Sequence, residues 1–198
     1  MSPRSKKTAE QMREKTRQAI LRSALELFAR RGYSATKAED IARKAGISKG
    51  LIYSHFDTKQ DILYAILAEQ MARVFPAMFK DDDTRPAYER LLSIVDSWLE
   101  FVKTEPDLTR LSLQLNLDDE FRRILRSKKV MDYYNRFLRE MKKLFSELGS
   151  TKPELDTYLV MFLFDGVVAN YTVAPDLFPI DDIKNHVVEL LTSRWGRK

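Results

Sequence analysis

Apolar residues recur along the chain at helical spacing, and the stripes are separated by capping residues, glycines and prolines. Ile20, Leu21, Ala24, Leu25 and Phe28 fall at i, i+4 and i+8, predicting a helix over Glu10–Arg31 that Gly32 stops. Two short helices follow within Thr36–Phe56. A further helix starts at Thr58 and carries Ile62, Leu63, Ile66, Leu67, Met71, Val74 and Phe75, with a kink or an end expected at Pro76. The Asp-rich stretch from Lys80 to Arg85 reads as a loop. Helices are then expected over Pro86–Lys103, Leu108–Leu115, Asp118–Leu148, Glu154–Val173 and Asp181–Trp195. The pattern therefore predicts an all-α chain of about nine helices, with a three-helix head joined to a larger helical body.

The stretch Thr36–Phe56 is the most informative. Thr36 is expected to cap a helix, with Glu39 three residues on completing a capping box. Ile41, Ala42 and Ala45 give an apolar edge, and Gly46 can take the left-handed conformation that ends a helix. Ser48 can cap the next helix, whose Ile52 and Phe56 face inward. Ser48, Lys49, Gly50, Leu51, Tyr53, Ser54 and His55 are left for solvent or a partner. This is the layout of a helix-turn-helix whose second helix can enter a DNA major groove. Caps and turn alone also fit an αα-hairpin that only packs.

Charge separates the two readings. The net charge is only +5, yet residues 1–59 carry 14 Lys and Arg against 6 Asp and Glu, while the other 139 carry 20 against 23. The basic excess sits in the head, as expected of a polyanion-binding unit on a near-neutral body. Residues 1–9, with Arg4, Lys6 and Lys7, are expected to be a disordered arm, either solubilising or phosphate-contacting. The head is drawn at 10–57 and the body at 58–198.

Composition excludes several classes. There are no cysteines and only two histidines, so disulfides, thiolate metal sites and a His-based metal cluster are not expected, and no cofactor is. Neither a phosphate loop nor a nucleophile–base pair is present, so no catalytic residue is proposed and an enzyme is not expected. The start lacks a secretory h-region, and the longest apolar run, Leu159–Val173, is broken by Asp165 and Asn170. A cytoplasmic protein with no membrane partner is the expectation.

Residues 17–65 closely resemble the DNA-binding head of the tetracycline-repressor (TetR) family of bacterial transcriptional regulators. The resemblance rests on Ala24, Phe28, Gly32, Tyr33, Thr36, Ile41, Ala42, Ile47, Lys59 and Leu63, and on Ala-Gly-Ile-Ser-Lys-Gly-Leu-Ile-Tyr-Ser-His-Phe over 45–56. Two positions depart from the family's habit: Lys37, where Ser or Thr is usual, and Leu51, where a small or polar residue is common. The resemblance implies a double-stranded, palindromic operator as partner. Phosphate contacts are expected from Thr36, Lys37, Ser48, Tyr53, His55 and Lys59, and base contacts from Lys49, Gly50, Leu51 and Ser54. Lys59 opposes the dipole of the helix it begins, which points to a negative partner.

The resemblance further implies a small-molecule effector, of unspecified identity, in the body. A mostly hydrophobic one is expected, held among Phe75, Met78, Trp98, Phe101, Tyr134, Phe137, Met161, Asp165, Asn170 and Tyr171, and relieving repression when bound. The alternative is a DNA-binding scaffold that answers to a protein partner and has a filled body. The helix over 154–173 is apolar nearly all round. Together with the last helix it is expected to form a homodimer interface through Leu159, Phe162, Gly166, Ile183, Val187, Leu190 and Leu191.

Overall fold

The computed structural model of the chain describes residues 3–80, 83–117 and 128–196. Among them are nine helices and no strand: α1 (Pro3–Arg31), α2 (Ala38–Ala45), α3 (Lys49–Tyr53), α4 (Lys59–Met78), α5 (Ala87–Thr104), α6 (Pro106–Leu117), α7 (Lys128–Glu147), α8 (Pro153–Val173) and α9 (Ile180–Trp195). The expected all-α class holds.

Local chemistry sets most of the boundaries. Gly32, Gly46 and Gly149 all take positive φ where a helix ends. The Ser48 hydroxyl accepts the Leu51 N–H at 3.2 Å and opens α3. Thr58 and Asp61 form a reciprocal capping box at the start of α4. Pro106 ends α5 by opening α6, where its missing N–H costs nothing.

Four expectations change. The first helix begins at Pro3 rather than Glu10, so most of the expected arm is helical; residues 1–2 lie outside the described residues. The cap of α2 is Lys37, not Thr36, and Asp40 rather than Glu39 accepts the capping residue's own N–H, at 3.4 Å. The third helix is only five residues long, with Ser54 as its C-cap, so the buried Phe56 lies beyond it. Pro76 sits in the last turn of α4, which runs on to Met78 before it stops. Residues 118–127, expected to begin the helix that ends near Leu148, lie outside the described residues.

Two apolar cores organise the packing. The first gathers Ile20, Ala24 and Phe28 of α1, Tyr33, Ile41 of α2, Ile52 of α3, Phe56, and Ile62, Leu63 and Ile66 of α4. It also takes Leu108, Leu111 and Leu115 from α6, so the head's core does not close at residue 57. The amide of Gln114 on α6 donates to the Ala29 carbonyl of α1 at 2.8 Å and pins this docking. The second core joins Leu91, Val95 and Leu99 of α5, Met141, Leu144 and Phe145 of α7, Val160 and Phe164 of α8, and Leu191 and Trp195 of α9. Phe101 packs against both.

Candidate nucleic-acid interface and internal cavity

The second and third helices present one polar, open surface. Lys37, Ser48, Lys49, Gly50, Leu51, Tyr53 and Ser54 are all exposed, whereas Ile41, Ala42, Ile52 and Phe56 point inward. Leu51 is 40% and Tyr53 47% exposed, unusual for residues of their size beside a well-packed core. Nothing stands near the position a Cβ would occupy at Gly50, so this side of α3 is free for a groove wall to approach. The ammonium of Lys49 stands 5.9 Å from the centre of the Tyr53 ring and pairs with Glu39 on α2. The Ser54 hydroxyl donates to the Leu51 carbonyl at 2.7 Å and still exposes its lone pairs.

Three of the expected phosphate contacts are placed differently from this face. Thr36 is 1% exposed, and its hydroxyl donates to the Gly32 carbonyl at 2.8 Å and the Leu27 carbonyl at 3.4 Å. It seals the end of α1 and is withdrawn from the phosphate set. Lys59 is half-buried; its ammonium donates to the Tyr33 carbonyl at 2.8 Å and stands 4.1 Å from the Tyr33 ring centre. The negative partner sought in DNA is supplied within the protein. His55 is half-buried, and desolvation, then Arg13 and Arg17 of α1, hold its imidazole below its ordinary pKa, with Glu14 opposing.

Between the two cores lies a cavity of about 290 Å³. Its walls come from α4 (Leu67, Gln70, Met71, Val74, Phe75, Met78), α5 (Trp98, Phe101), α6 (Leu108, Leu111, Ser112), α7 (Tyr133, Tyr134, Phe137) and α8 (Met161, Phe164, Asp165). Phe75, Met78, Trp98, Phe101, Tyr134, Phe137, Met161 and Asp165 thus converge as expected. Trp98 and Phe164 stack at 4.1 Å. Ser112, Tyr134 and Asp165 are the exposed members and mark where the cavity opens. Desolvation raises the pKa of both Asp165 and Tyr134.

Asn170 and Tyr171 do not line this cavity. The Asn170 amide faces solvent and donates to the Gly166 carbonyl of its own helix at 2.7 Å. Tyr171 packs edge-on to Phe178 at 6.4 Å on the second core. Both lie beyond the last α8 turn that reaches the cavity.

The outer side of α8 exposes Leu155, Leu159, Phe162 and Leu163, together with Gly166, and Leu190 of α9 is also exposed. Leu191, expected in an interface, is 3% exposed and belongs to the chain's own second core. Ile183 and Val187 likewise pack against that core and are only partly exposed. The stripe on α9 faces inward because α5 covers it, with Lys184 bridging to Asp96 at 2.8 Å.

Residue patterns carried a signal for some lining residues that were not assigned to the site. Leu67, Met71 and Val74 continue one apolar stripe of α4, and Gln70 is the polar residue inside it. The double role of α6 had no local signal.

Comparison with known proteins follows the same division. A profile described as bacterial regulatory proteins, tetR family, matches residues 20–66. The chain is 44% identical over 66 residues to the HTH-type transcriptional regulator SrpR of Pseudomonas putida, covering 33% of this chain and 30% of SrpR. It is 28% identical over 186 residues to the fatty acid metabolism regulator protein of Bacillus subtilis (strain 168), covering 88% of this chain and 92% of that protein. The crystal structure of the transcriptional regulator FadR from Bacillus subtilis in complex with stearoyl-CoA superposes with a TM-score of 0.73 at 24% identity, covering 89% of this chain and 97% of that one. The family profile thus falls on the head, while the fold is shared along nearly the whole length.

Proposed function

This chain belongs to the TetR family of bacterial regulatory proteins, and we propose that it is a DNA-binding transcriptional repressor released by an apolar effector. The observation that carries the reading is the sharing of α4 and α6 between head and cavity. Ile62, Leu63 and Ile66 of α4 lie in the head's core, and Leu67, Gln70, Met71, Val74, Phe75 and Met78 of the same helix line the cavity. Leu108 and Leu111 of α6 do both.

In the free form α3 enters the major groove, with Lys49, Gly50, Leu51 and Ser54 toward base edges. Lys37, Ser48, Tyr53 and His55 face the phosphates on either side. Two copies pair through the exposed α8 face around Leu159 and Phe162, with Leu190 at its edge. That pairing sets two α3 helices about one DNA turn apart, roughly 34–36 Å, over a palindrome.

Among the described residues the cavity is lined mainly by apolar side chains, with no Lys or Arg. An acyl chain suits it. The resemblance to a fatty acid metabolism regulator, and to a FadR that holds stearoyl-CoA, supports an acyl-CoA as the effector. The coenzyme's phosphates, beyond its uncharged pantetheine arm, would remain outside, because none of the described lining residues is cationic. A cavity of this size favours a small molecule over a protein partner that needs a filled body. Insertion of the acyl chain moves α4 and α6 apart, and the head follows because both helices are built into its core. Release extends only as far as the effector's affinities for the two states differ.

Selection of genomic fragments by the purified protein, with and without dodecanoyl-CoA, tests the reading. A palindromic site recovered only without the acyl-CoA is the expected result. Absence of a selected site, or recovery unaffected by the acyl-CoA, would refute the corresponding half.

A further inference from the structure

Among the described residues Gln70 is the one buried polar side chain of the cavity wall, 7% exposed among Leu67, Met71 and Val74 of the same helix. The exposed polar members, Ser112, Tyr134 and Asp165, stand at the openings instead. One end of the Gln70 amide faces Arg73 at 2.8 Å. A guanidinium can only donate, so that end is the oxygen Oε1 and the nitrogen is turned away. Arg73 is in turn held by Glu105 at 2.6 Å, which fixes the arrangement. The nitrogen Nε2 is left buried with no hydrogen-bond partner among the described residues. A buried donor without an acceptor is a standing penalty in the empty state, and a ligand atom that accepts from it removes that penalty.

We propose that Gln70 is the polar anchor of the effector site, its amide N–H donating to the carbonyl oxygen of an acyl group whose chain fills the rest of the cavity. The proposal rests on the acyl-effector reading and adds that the carbonyl, rather than chain length alone, is recognised. An alkyl chain without the oxygen fills the same apolar walls but leaves Nε2 unpaired, and a site built around a donor rejects such an analogue. Gln70 also lines a groove against Gln18, Leu21 and Arg22 of α1. The anchor therefore lies at the head-facing end of the cavity, and engaging it acts on the Gln70–Arg73–Glu105 link that ties α4 to the α5–α6 corner.

The test is calorimetric titration of the full chain with dodecanoyl-CoA and with S-dodecyl-CoA, the thioether that lacks the carbonyl oxygen. The wild-type chain is expected to prefer the thioester about tenfold. In Gln70→Leu the thioester should lose that tenfold while the thioether binds no more weakly. Gln70→Glu, which replaces the donor by an acceptor, should penalise the thioester further. Equal affinity of the wild-type chain for the two compounds would overturn the assignment while leaving the acyl reading intact, and needs no variant to fold. A preference that survives in Gln70→Leu would also overturn it. Failure of both compounds to bind would remove the acyl reading and the anchor together.

Discussion

Lys49, the first residue of the recognition helix, is paired with Glu39 in the first turn of α2 when no DNA is present. Each holds the other charged: the hydrogen bond to Lys49 lowers the Glu39 pKa, and the bond from Glu39 raises that of Lys49. Both are exposed, so the pair adds little to stability. Its consequence is for binding. Lys49 reaches a guanine or a phosphate only by leaving Glu39, or by bringing a carboxylate toward a polyanion.

Glu39→Gln should therefore tighten binding to duplex DNA. About a tenfold gain is expected, with specific and non-specific sites gaining alike. The slope of log affinity against log salt should steepen by about one, the amount for one more cation released to phosphate. Fluorescence anisotropy at several salt concentrations reads both. An unchanged slope would mean that Lys49 never turns to the DNA.

Leu51 is 40% exposed on the same helix and makes no polar contact of its own side chain. An apolar residue there can be satisfied by a thymine methyl. Leu51→Ala should flatten the preference at one base pair of each half-site by about 1 kcal/mol while leaving the other positions alone. Binding to a randomised operator library gives the comparison. A parental preference at every position would remove Leu51 from the readout.

The caps of α3 and α4 and the glycine stops were legible in the sequence because they are made within four residues of themselves. Thr36 was misread because its hydroxyl is taken by the carbonyls of Leu27 and Gly32, in the last turn of the previous helix and just past its end. Most of the bulky aromatic and methionine members of the lining were legible on α4, α5, α7 and α8, whereas Leu67, Met71 and Val74 of α4 look like any other core stripe. Asn170 and Tyr171 were misplaced for a different reason. On a helix apolar nearly all round, periodicity shows that several faces are covered but not by which neighbour, and only the packing of α8 and α9 decides it.

His55 gives a pH signature. Its folded pKa lies below the ordinary value of 6.5, chiefly through desolvation and then Arg13 and Arg17. The unfolded chain therefore binds the proton first, so this contribution to stability is complete above the ordinary value and is lost as pH falls below it. A DNA phosphate beside the ring would reverse the shift, so binding takes up a proton. Between about pH 7.5 and 6, operator affinity should rise more for the wild-type chain than for His55→Gln. Over the same range the thermal midpoint should fall less for the variant. Identical affinity profiles would take His55 out of the phosphate set.

Lys59 is assigned to the protein rather than to DNA. Lys59→Met removes the hydrogen bond to the Tyr33 carbonyl and the cation over its ring. The expected loss is about 1–2 kcal/mol, or a fall of roughly 3–6 °C in thermal midpoint for a chain of this size. The salt slope of DNA binding should not change. A slope shallower by about one, with stability intact, would return Lys59 to the phosphate contacts.

The head should not fold without α6. Leu108, Leu111 and Leu115 are each almost fully buried in the core that also holds Phe28, Ile41 and Ile52. A fragment ending at residue 80 would expose that face of α1 and α4 and leave the Ala29 carbonyl without the Gln114 amide. Such a fragment is expected to melt without a cooperative transition. In the full chain, Leu111→Ala should cost about 2–5 kcal/mol. It should also weaken operator binding, although Leu111 lies in the body and well away from α3 in sequence. Circular dichroism melts of the fragment and the variant, with anisotropy for DNA, decide the matter. A fragment that unfolds cooperatively, at a midpoint near that of the intact chain, would mean that the head closes its core alone and that α6 only leans on it. The route from cavity to DNA would then run through α4.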